Sequence, residues 1–249
     1  MKQILGIDVG GTKIAAGLVD KSFRVSKIKV LRTSQTDLIS QLRDLVLSYH
    51  NFDAIGIGVP GQVLSSGLVV HLPNIQHLKL VNLKQVFQKK FCVPVNVMND
   101  AKAFALAEAI LGSGKKFNIV VGVILGTGIG VGIVMNKKIY FGANSIAGEM
   151  GHFVIPNGKT FEQYVKRAGN FKNARYARKY LELLLYFITR SFDPEIIIVG
   201  GGWSRLKGMQ QLFDELIRNN QRFQIKTLVK ISQLKHAGII GAVLPLFRK

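Results

Sequence analysis

The sequence has little cysteine, and it has no long apolar run. One cysteine, Cys92, occurs in 249 residues, so neither an intrachain disulfide nor a multi-cysteine metal site can be built, and a reducing compartment is indicated. No apolar run approaches bilayer length, and the first residues hold no stretch long enough for a secretion signal. We therefore expect a globular, cytoplasmic protein without a membrane partner.

Acidic residues are also scarce. The chain has 14 Asp and Glu against 34 Lys and Arg, a formal net charge of +20. Such a balance raises the hypothesis of a nucleic-acid binder, and the stretch from Lys166 to Lys179 contains no acid at all. A solvated cationic helix face is the alternative that we favour. No recognised reading motif is present, so we expect no specific nucleic-acid partner.

The order of apolar segments predicts an α/β fold. Short Val- and Ile-rich runs alternate with stretches of helical period, and the second half repeats the strand, glycine turn, strand arrangement of the first. We expect two lobes around a central cleft, a smaller one of residues 1–113 plus 236–249 and a larger one of residues 114–235. The predicted strands are Ile4–Asp8, Lys13–Val19, Ser26–Leu31, Ala54–Gly58, Val95–Met98, Asn118–Leu125, Gly130–Met135, Lys137–Phe141 and Glu195–Val199, and the predicted helices are Thr36–Tyr49, Asp100–Leu111, Phe161–Val165, Ala174–Phe192, Ser204–Arg218 and His236–Phe247.

Three glycine-rich turns follow predicted strands. Missing side chains let backbone N–H groups approach phosphate oxygens, and hydroxyl or ammonium groups in the turn can donate as well. For the first turn, a purely structural hairpin is the alternative. The first two turns could clamp a triphosphate, and the third is suited to a flat nucleoside. Their residues are Asp8, Gly10, Gly11, Thr12 and Lys13; Gly126, Thr127 and Gly128; and Gly200, Gly201 and Gly202.

The few polar residues near strand ends are the candidates for chemistry. Asp100 follows a predicted strand and opens a helix, where it could reach a ligand or merely cap the helix. Glu149 and His152 could bind sugar hydroxyls or form a surface ion pair. Asn74, behind a proline, could bind a ligand or form a turn. Asp8, at the end of the first strand, could hold a metal ion or its water.

Two segments resemble known nucleotide-binding motifs, but the sequence around them does not match those motifs. Gly56 to Gly61 matches the dinucleotide pattern, but Pro60 lies inside it and no helical pattern follows. Gly158-Lys159-Thr160 ends like a P-loop, yet Phe153 stands where the first glycine belongs. Neither segment is predicted to bind a nucleotide.

Taken in order, these segments resemble the ROK family of sugar kinases and related repressors, which has the actin-like, ribonuclease-H-like duplicated ATPase fold. Any one motif is weak evidence, but the ordered set extends over nearly the whole chain. The matching segments are Asp8 to Lys13, Gly56 to Gly61, Pro73-Asn74-Ile75, Asn99-Asp100-Ala101, Gly126 to Gly130, Gly148-Glu149-Met150-Gly151-His152 and Asp193-Pro194-Glu195 to Gly202.

The resemblance implies ATP-dependent phosphorylation of a hexose, with Mg²⁺ as cofactor. Asp100 would be the general base on the acceptor hydroxyl, and Asp8 would hold Mg²⁺ directly or through water. The glycine turns would bind ATP. The implied sugar-binding residues are Gly61, Asn74, Asn99, Asp100, Glu149, His152 and Glu162.

The chain departs from the family in two ways. It resembles a shortened member, because only Arg167 to Phe192 remain of the several helices that the family carries before its D-P-E strand, and it lacks the family's cysteine loop. Family members usually follow the G-E-x-G-H signature with a cysteine-rich loop that holds zinc, and here residues Phe153 to Thr160 contain no cysteine. We therefore expect no zinc site. Glu162 keeps the place of a sugar-binding glutamate just after that loop.

Two rivals to the kinase hypothesis stay open. One is a catalytically silent sugar-sensing regulatory protein of the same family, and the other is a basic nucleic-acid-binding protein. Asp8, Asp100 and both phosphate turns argue against a pure sensor, which has no need of them. The implied acceptor is glucose or a related or N-acetylated hexose, and a homodimer is one alternative for the assembly.

Overall fold

The structure, a computed structural model, describes residues 3–72, 80–155, 158–167, 174–219 and 226–247. These residues form an α/β fold, as the sequence predicts. No helix in the described ranges is both long and apolar enough to cross a membrane.

The chain divides into two compact units. Unit 1 comprises Met1–Ala107, Gly142–Ile146 and Lys235–Lys249, and unit 2 comprises Glu108–Phe141 and Ala147–Leu234. The lobe boundaries expected from the sequence, at 113/114 and 235/236, stay a prediction.

Unit 1 is built on a five-stranded sheet of order β3-β2-β1-β4-β8. Strand β1 runs antiparallel to β2 and parallel to β4, and β4 runs parallel to β8. Buried apolar residues lie on both sheet faces, as is usual for parallel strands between helices. The elements are β1 (Ile4–Val9), β2 (Lys13–Val19), β3 (Val25–Arg32), α1 (Leu38–Leu47), β4 (Ala54–Val59), β5 (Gln62–Val63), β6 (Leu68–His71), β7 (Val81–Asn82), α2 (Leu83–Phe91), β8 (Val95–Asn99), α3 (Asp100–Ile110) and α7 (Ala237–Phe247).

Unit 2 repeats this topology. Its sheet has the order β11-β10-β9-β12-β13, with β9 antiparallel to β10 and parallel to β12, so the internal duplication predicted from the sequence is confirmed. A cluster of buried residues from the sheet and its helices forms the core. The elements are β9 (Ile119–Leu125), β10 (Ile129–Met135), β11 (Lys138–Ile139), α4 (Phe161–Arg167), α5 (Ala174–Phe192), β12 (Ile196–Gly200), α6 (Met209–Arg218) and β13 (Leu228–Ile231), with short 3₁₀ turns at Met150–His152 and Trp203–Arg205.

The helix predicted over Ser204–Arg218 is wrong in its first part. A 3₁₀ turn at Trp203–Arg205 comes first, and α6 begins only at Met209. Gly208 causes the break because it adopts a left-handed conformation with φ of 84°. The short strands β5, β6 and β7, helix α2 and strand β13 are additions that sequence periodicity missed.

The dinucleotide-like fingerprint is part of a strand, as its context suggested. Gly56 and Gly58 lie within β4, and β5 rather than a helix follows Gly61. A Cβ atom at Gly56 would collide with the backbone of Ala242 in α7. The glycine is therefore needed for close packing of a helix on the sheet.

Candidate active site

The carboxyl ends of β1, β4 and β8 meet at one edge of the unit 1 sheet. Asp8 pairs in register with Gly58, and Val59 pairs with Asn99. A Cβ atom at Gly58 would lie 3.7 Å from the Cα of Asp100. The structure therefore brings the end of the first strand and the start of α3 to the same edge, where ligands bind in open α/β sheets.

The helix cap at α3 is Asn99 rather than Asp100. The Asn99 Oδ1 accepts from the Lys102 N–H at 3.0 Å, which is the bond that an N-cap makes. The Asn99 Nδ2 donates to the Gly61 carbonyl at 3.0 Å, so the same side chain fixes the turn after β4. Asp100 Oδ1 accepts from the neighbouring Ala101 N–H at 2.8 Å. Asp100 is therefore not the N-cap, although its carboxylate also accepts from a free N–H group of the first turn.

Thr33 holds the first glycine turn through two hydrogen bonds, and sequence reasoning missed this residue. The Gly10 N–H donates to the Lys13 carbonyl at 2.9 Å and closes the turn. Thr33, which is buried, donates its hydroxyl to the Gly10 carbonyl at 2.8 Å and its N–H to the Thr12 carbonyl at 3.0 Å. Thr12 and Lys13 themselves are exposed. A threonine 20 positions beyond the end of the turn carries no local sequence signal for this contact.

Asp8 has an unusual environment for a carboxylate. Burial raises its pKa from 3.8 to about 6, although the positive charge of Lys13 acts in the opposite direction. Gly238, in the first turn of α7, lies against it, and a Cβ atom there would collide with both carboxylate oxygens. Gly238 is therefore a second missed residue, since only the tertiary packing reveals its role.

The segment 142–146 packs within unit 1 and is held there by two side chains. The Lys102 Nζ, almost fully buried, donates to the Ser145 carbonyl at 3.1 Å. The Gln62 Nε2 donates to the Asn144 carbonyl at 2.9 Å. Ser145 has a left-handed backbone with φ of 60°. Lys102 is two residues from Asp100, and Gln62 follows Gly61 directly. These two hydrogen bonds therefore tie the segment 142–146 to the backbone beside two predicted sugar-binding positions.

In unit 2, the second and third glycine turns lie side by side. Gly200 pairs in register with Ile124, just before the turn that begins at Gly126. Gly201 has a φ of 89°, and a Cβ atom there would collide with the backbone of Leu125. The Gly201 carbonyl accepts from the Ser204 hydroxyl at 2.8 Å. Two of the three segments predicted to bind ATP thus meet at one end of this sheet.

Glu162 contacts the second glycine turn directly. Its Oε2 accepts from the Ile129 N–H at 2.9 Å, and a Cβ atom at Gly128 would lie only 2.5 Å from that oxygen. Sequence reasoning placed Glu162 with the sugar-binding residues alone and missed this bond.

Glu149 and His152 lie together on the unit 2 turn that precedes α4. The His152 Nε2 is 3.8 Å from the Glu149 Oε2, and the histidine is exposed. Gly148 has a φ of 92°, and a Cβ atom there would collide with the Val131 carbonyl. The glycine therefore allows the turn to lie against β10.

This geometry tests neither the predicted sugar contact of Asn74 nor the predicted Mg²⁺ site at Asp8. Asn74 lies outside the described residues, so its sugar-binding role stays a prediction. Within the described ranges no three His, Cys, Asp or Glu side chains form a group that could hold a metal ion. For Mg²⁺ this is no obstacle, because Mg²⁺ usually binds one or two carboxylates together with substrate phosphates and waters. The single carboxylate of Asp8 fits that pattern.

Comparison with known proteins identifies the class. The family model described as "ROK family" matches residues 4–170, about two thirds of the chain, and the chain belongs to the ROK family. The duplicated fold described above is accordingly the actin-like fold of ROK sugar kinases.

Particular relatives add detail. The chain is 28% identical to the N-acetyl-D-glucosamine kinase of Pectobacterium atrosepticum, over 96% of this chain and 97% of that one. It is 34% identical to the N-acetylgalactosamine kinase AgaK of Shewanella sp., over 59% of this chain and 50% of that one. It is similar in structure to the ROK family glucokinase of Streptomyces griseus in complex with glucose and AMPPNP, with a TM-score of 0.84, 26% identity and coverage of 96% of this chain and 97% of that one.

Proposed function

We propose that this protein is a sugar kinase that transfers a phosphoryl group from ATP to a hydroxyl group of a hexose or an N-acetylated hexose. The relatives support this class: two are named as kinases of N-acetylated sugars, and a third was solved with glucose and an ATP analogue. The site chemistry agrees with it.

The placement of Asp100 is the observation that carries the proposal. It stands one residue beyond the end of β8, at the sheet edge that also holds Asp8, and Asn99 makes the cap bond of its helix. As general base, Asp100 accepts the proton of the attacking hydroxyl while the phosphoryl group transfers. Asn99 accepts from the Lys102 N–H and donates to the Gly61 carbonyl, which fixes the start of the helix that carries Asp100.

The glycine turns act through positioning and charge stabilisation. Phosphoryl transfer needs little covalent chemistry from the protein, and catalysis rests on donors that face the transferring oxygens. In unit 1 these donors come from Gly10 to Lys13, and in unit 2 from Gly126 to Gly128. The turn at Gly200 to Gly202, beside the second glycine turn, takes the nucleoside.

Asp8 is the residue that would hold Mg²⁺. When bound, Mg²⁺ neutralises charge on the phosphates of ATP. Within the described residues Asp8 belongs to no group of three potential metal ligands, and Mg²⁺ usually takes most of its oxygens from phosphates and water.

The acceptor is held by amides and carboxylates. Asn99, Glu149, His152 and Glu162 supply groups that pair with several sugar hydroxyls and reject ligands that leave them unpaired. Asn74 completes this set as the resemblance implies it. Glucose and the N-acetylated hexoses share these hydroxyls, so both classes belong in the test.

A coupled assay of ADP release tests the proposal. Purified protein with ATP and Mg²⁺ is given glucose, N-acetylglucosamine, N-acetylgalactosamine and N-acetylmannosamine in turn, and we expect sugar-dependent ADP release with at least one. Sugar binding without turnover would instead identify a sensing protein.

A substitution tests the general base. Asp100→Asn keeps the shape of the side chain but removes the base, so turnover should fall by at least roughly 10²-fold while sugar binding persists. Asp44→Asn, an exposed position on α1 of the same unit, is the control and should keep normal turnover. Near-normal turnover of Asp100→Asn would show that the assigned mechanism is wrong.

A further inference from the structure

The Glu162 carboxylate lies in a niche formed by two glycines of different motifs. Gly128 belongs to the second glycine turn, and Gly151 belongs to the turn that carries Glu149 and His152. A Cβ atom at Gly128 would lie 2.5 Å from Glu162 Oε2 and 3.1 Å from its Cδ. A Cβ atom at Gly151 would lie 2.8 Å from the Ile129 carbonyl and 3.4 Å from Glu162 Oε2. Position 151 therefore needs glycine because the hairpin backbone lies so close, whereas a Cβ atom at position 128 would displace the Glu162 carboxylate.

The same carboxylate fixes the end of the second glycine turn. Ile129 is the first residue of β10 and pairs in register with Leu125, the last residue of β9. The Gly126 N–H donates to the Gly128 carbonyl at 3.0 Å and closes the turn internally. The Ile129 N–H donates to Glu162 Oε2 at 2.9 Å, so the far end of the turn is held by a side chain from α4.

We propose that Glu162 is a positioning residue that holds the second glycine turn in its phosphate-binding shape and couples that turn to acceptor binding at the Glu149–His152 turn. This inference rests on the proposed function. A carboxylate has two oxygens, and in Glu162 one of them already accepts from the hairpin backbone. A sugar hydroxyl bound by the carboxylate therefore alters how firmly the turn is held, which makes the affinities for sugar and ATP depend on each other.

A bond from an amide to a charged acceptor is strong enough for this role. Hydrogen bonds to ionised groups are roughly twice as strong as neutral ones, and their loss corresponds to roughly tenfold or more in an equilibrium constant. Glu162→Ala removes the acceptor. Glu162→Gln keeps a carbonyl oxygen that can still accept from the Ile129 N–H. It removes the negative charge, so it would not restore a sugar contact that depends on charge alone.

The first experiment needs no ligand. Hydrogen–deuterium exchange is followed in peptides that cover residues 126–135, in the wild type, Glu162→Ala, Glu162→Gln and the control Glu182→Ala, an exposed acid on α5. Among these four proteins, we expect the Ile129 region to exchange roughly tenfold faster in Glu162→Ala only. Gly128→Ala, which displaces the carboxylate, should exchange faster as well and provides a second perturbation should Glu162→Ala fold poorly. Unchanged exchange in both variants would overturn the proposal.

The second experiment measures binding of AMPPNP with Mg²⁺ by calorimetry, with and without the sugar that gives ADP release. We expect Glu162→Ala to weaken AMPPNP binding roughly tenfold and to abolish the gain that sugar gives in the wild type, with Glu162→Gln close to wild type. Weaker sugar binding with unchanged AMPPNP affinity would mean that Glu162 contacts the sugar only. The hydrogen-exchange experiment uses no ligand and does not depend on turnover. If the wild type shows no turnover with any sugar, the proposed function is wrong, and hydrogen exchange alone then decides whether Glu162 holds the turn.

Discussion

Replacing Asp8 by asparagine should make the protein more stable and less active. Burial raises the pKa of this carboxyl from 3.8 to about 6, so the fold keeps a charged group at neutral pH in a place that disfavours the charge. Each pKa unit corresponds to about 1.4 kcal/mol, which gives about 3 kcal/mol for the whole difference. Because Asp8 keeps part of its surface in water, we expect Asp8→Asn to gain about 1 to 3 kcal/mol at pH 8.

The pH dependence gives the sharper test. A carboxyl whose pKa is higher in the folded state than in the unfolded chain stabilises the fold fully below about pH 4, and this contribution is lost as the pH rises through about 6. The wild type should therefore lose stability relative to Asp8→Asn between pH 4 and pH 7. At pH 4, where Asp8 is largely protonated, the two proteins should be nearly equal.

Urea unfolding in chelator, at pH values from 4 to 8, measures the difference. Asp44→Asn is the matched control and should change stability by less than about 0.5 kcal/mol throughout, as exposed positions usually do. With ATP and Mg²⁺ restored, Asp8→Asn should lose most of its turnover because the carboxylate that would hold the ion is gone. A variant that is less stable than the wild type at pH 8, or a difference that does not vary with pH, would refute the reasoning.

Three further predictions follow from named groups. Lys102→Met leaves the buried Ser145 carbonyl without its donor and should cost about 1 to 3 kcal/mol in urea unfolding, with faster hydrogen exchange in residues 142–146; unchanged exchange there would contradict the assigned anchor. Binding to DNA or RNA through the stretch Lys166–Lys179 should be independent of sequence and collapse as salt rises, and tight selective binding at physiological salt in a filter assay would favour the nucleic-acid rival. Metal analysis should find no stoichiometric zinc, and activity should return fully after chelation once Mg²⁺ is restored; zinc whose removal unfolds the protein would disprove this.

The strand pattern and the motif order could be predicted from the sequence because both depend on local signals. Val- and Ile-rich runs that end in glycine define the strands, and parallel strands place their carboxyl ends at one edge. The resemblance of the ordered motifs to the ROK family assigned Asp8 and Asp100, 92 positions apart, to one site, and the sheet register brings the two positions to the same sheet edge. The short strands β5, β6 and β7 could not be predicted in this way, because two to four residues are too few to show the alternation of apolar and polar residues that marks a strand.

The supporting residues could not be predicted because their roles exist only in the folded chain. Thr33 looks like any threonine at a strand end, and its bond to the Gly10 carbonyl depends on how β3 returns along β2. A lysine at position 102 reads as a solvated helix residue, yet it is buried against the Ser145 carbonyl. Gly208 interrupts a helical pattern, but periodicity alone does not tell a tolerated glycine from a left-handed break.

Two acidic residues of unit 2, Glu195 and Glu162, accept hydrogen bonds from the backbone of the β9–β10 hairpin. Glu195 accepts from the N–H groups of Asn118 and Ile119 at 2.6 and 2.8 Å, where β9 begins. Glu162 accepts from Ile129, where β10 begins. The β9–β10 hairpin is thus held by a carboxylate at its base and by another at its tip, which opposes a slip in register. Glu195 precedes the adjacent strand β12 and Glu162 belongs to α4, so the two ends of the hairpin are held by different elements, and loss of Glu162 should loosen the tip while the base stays in place.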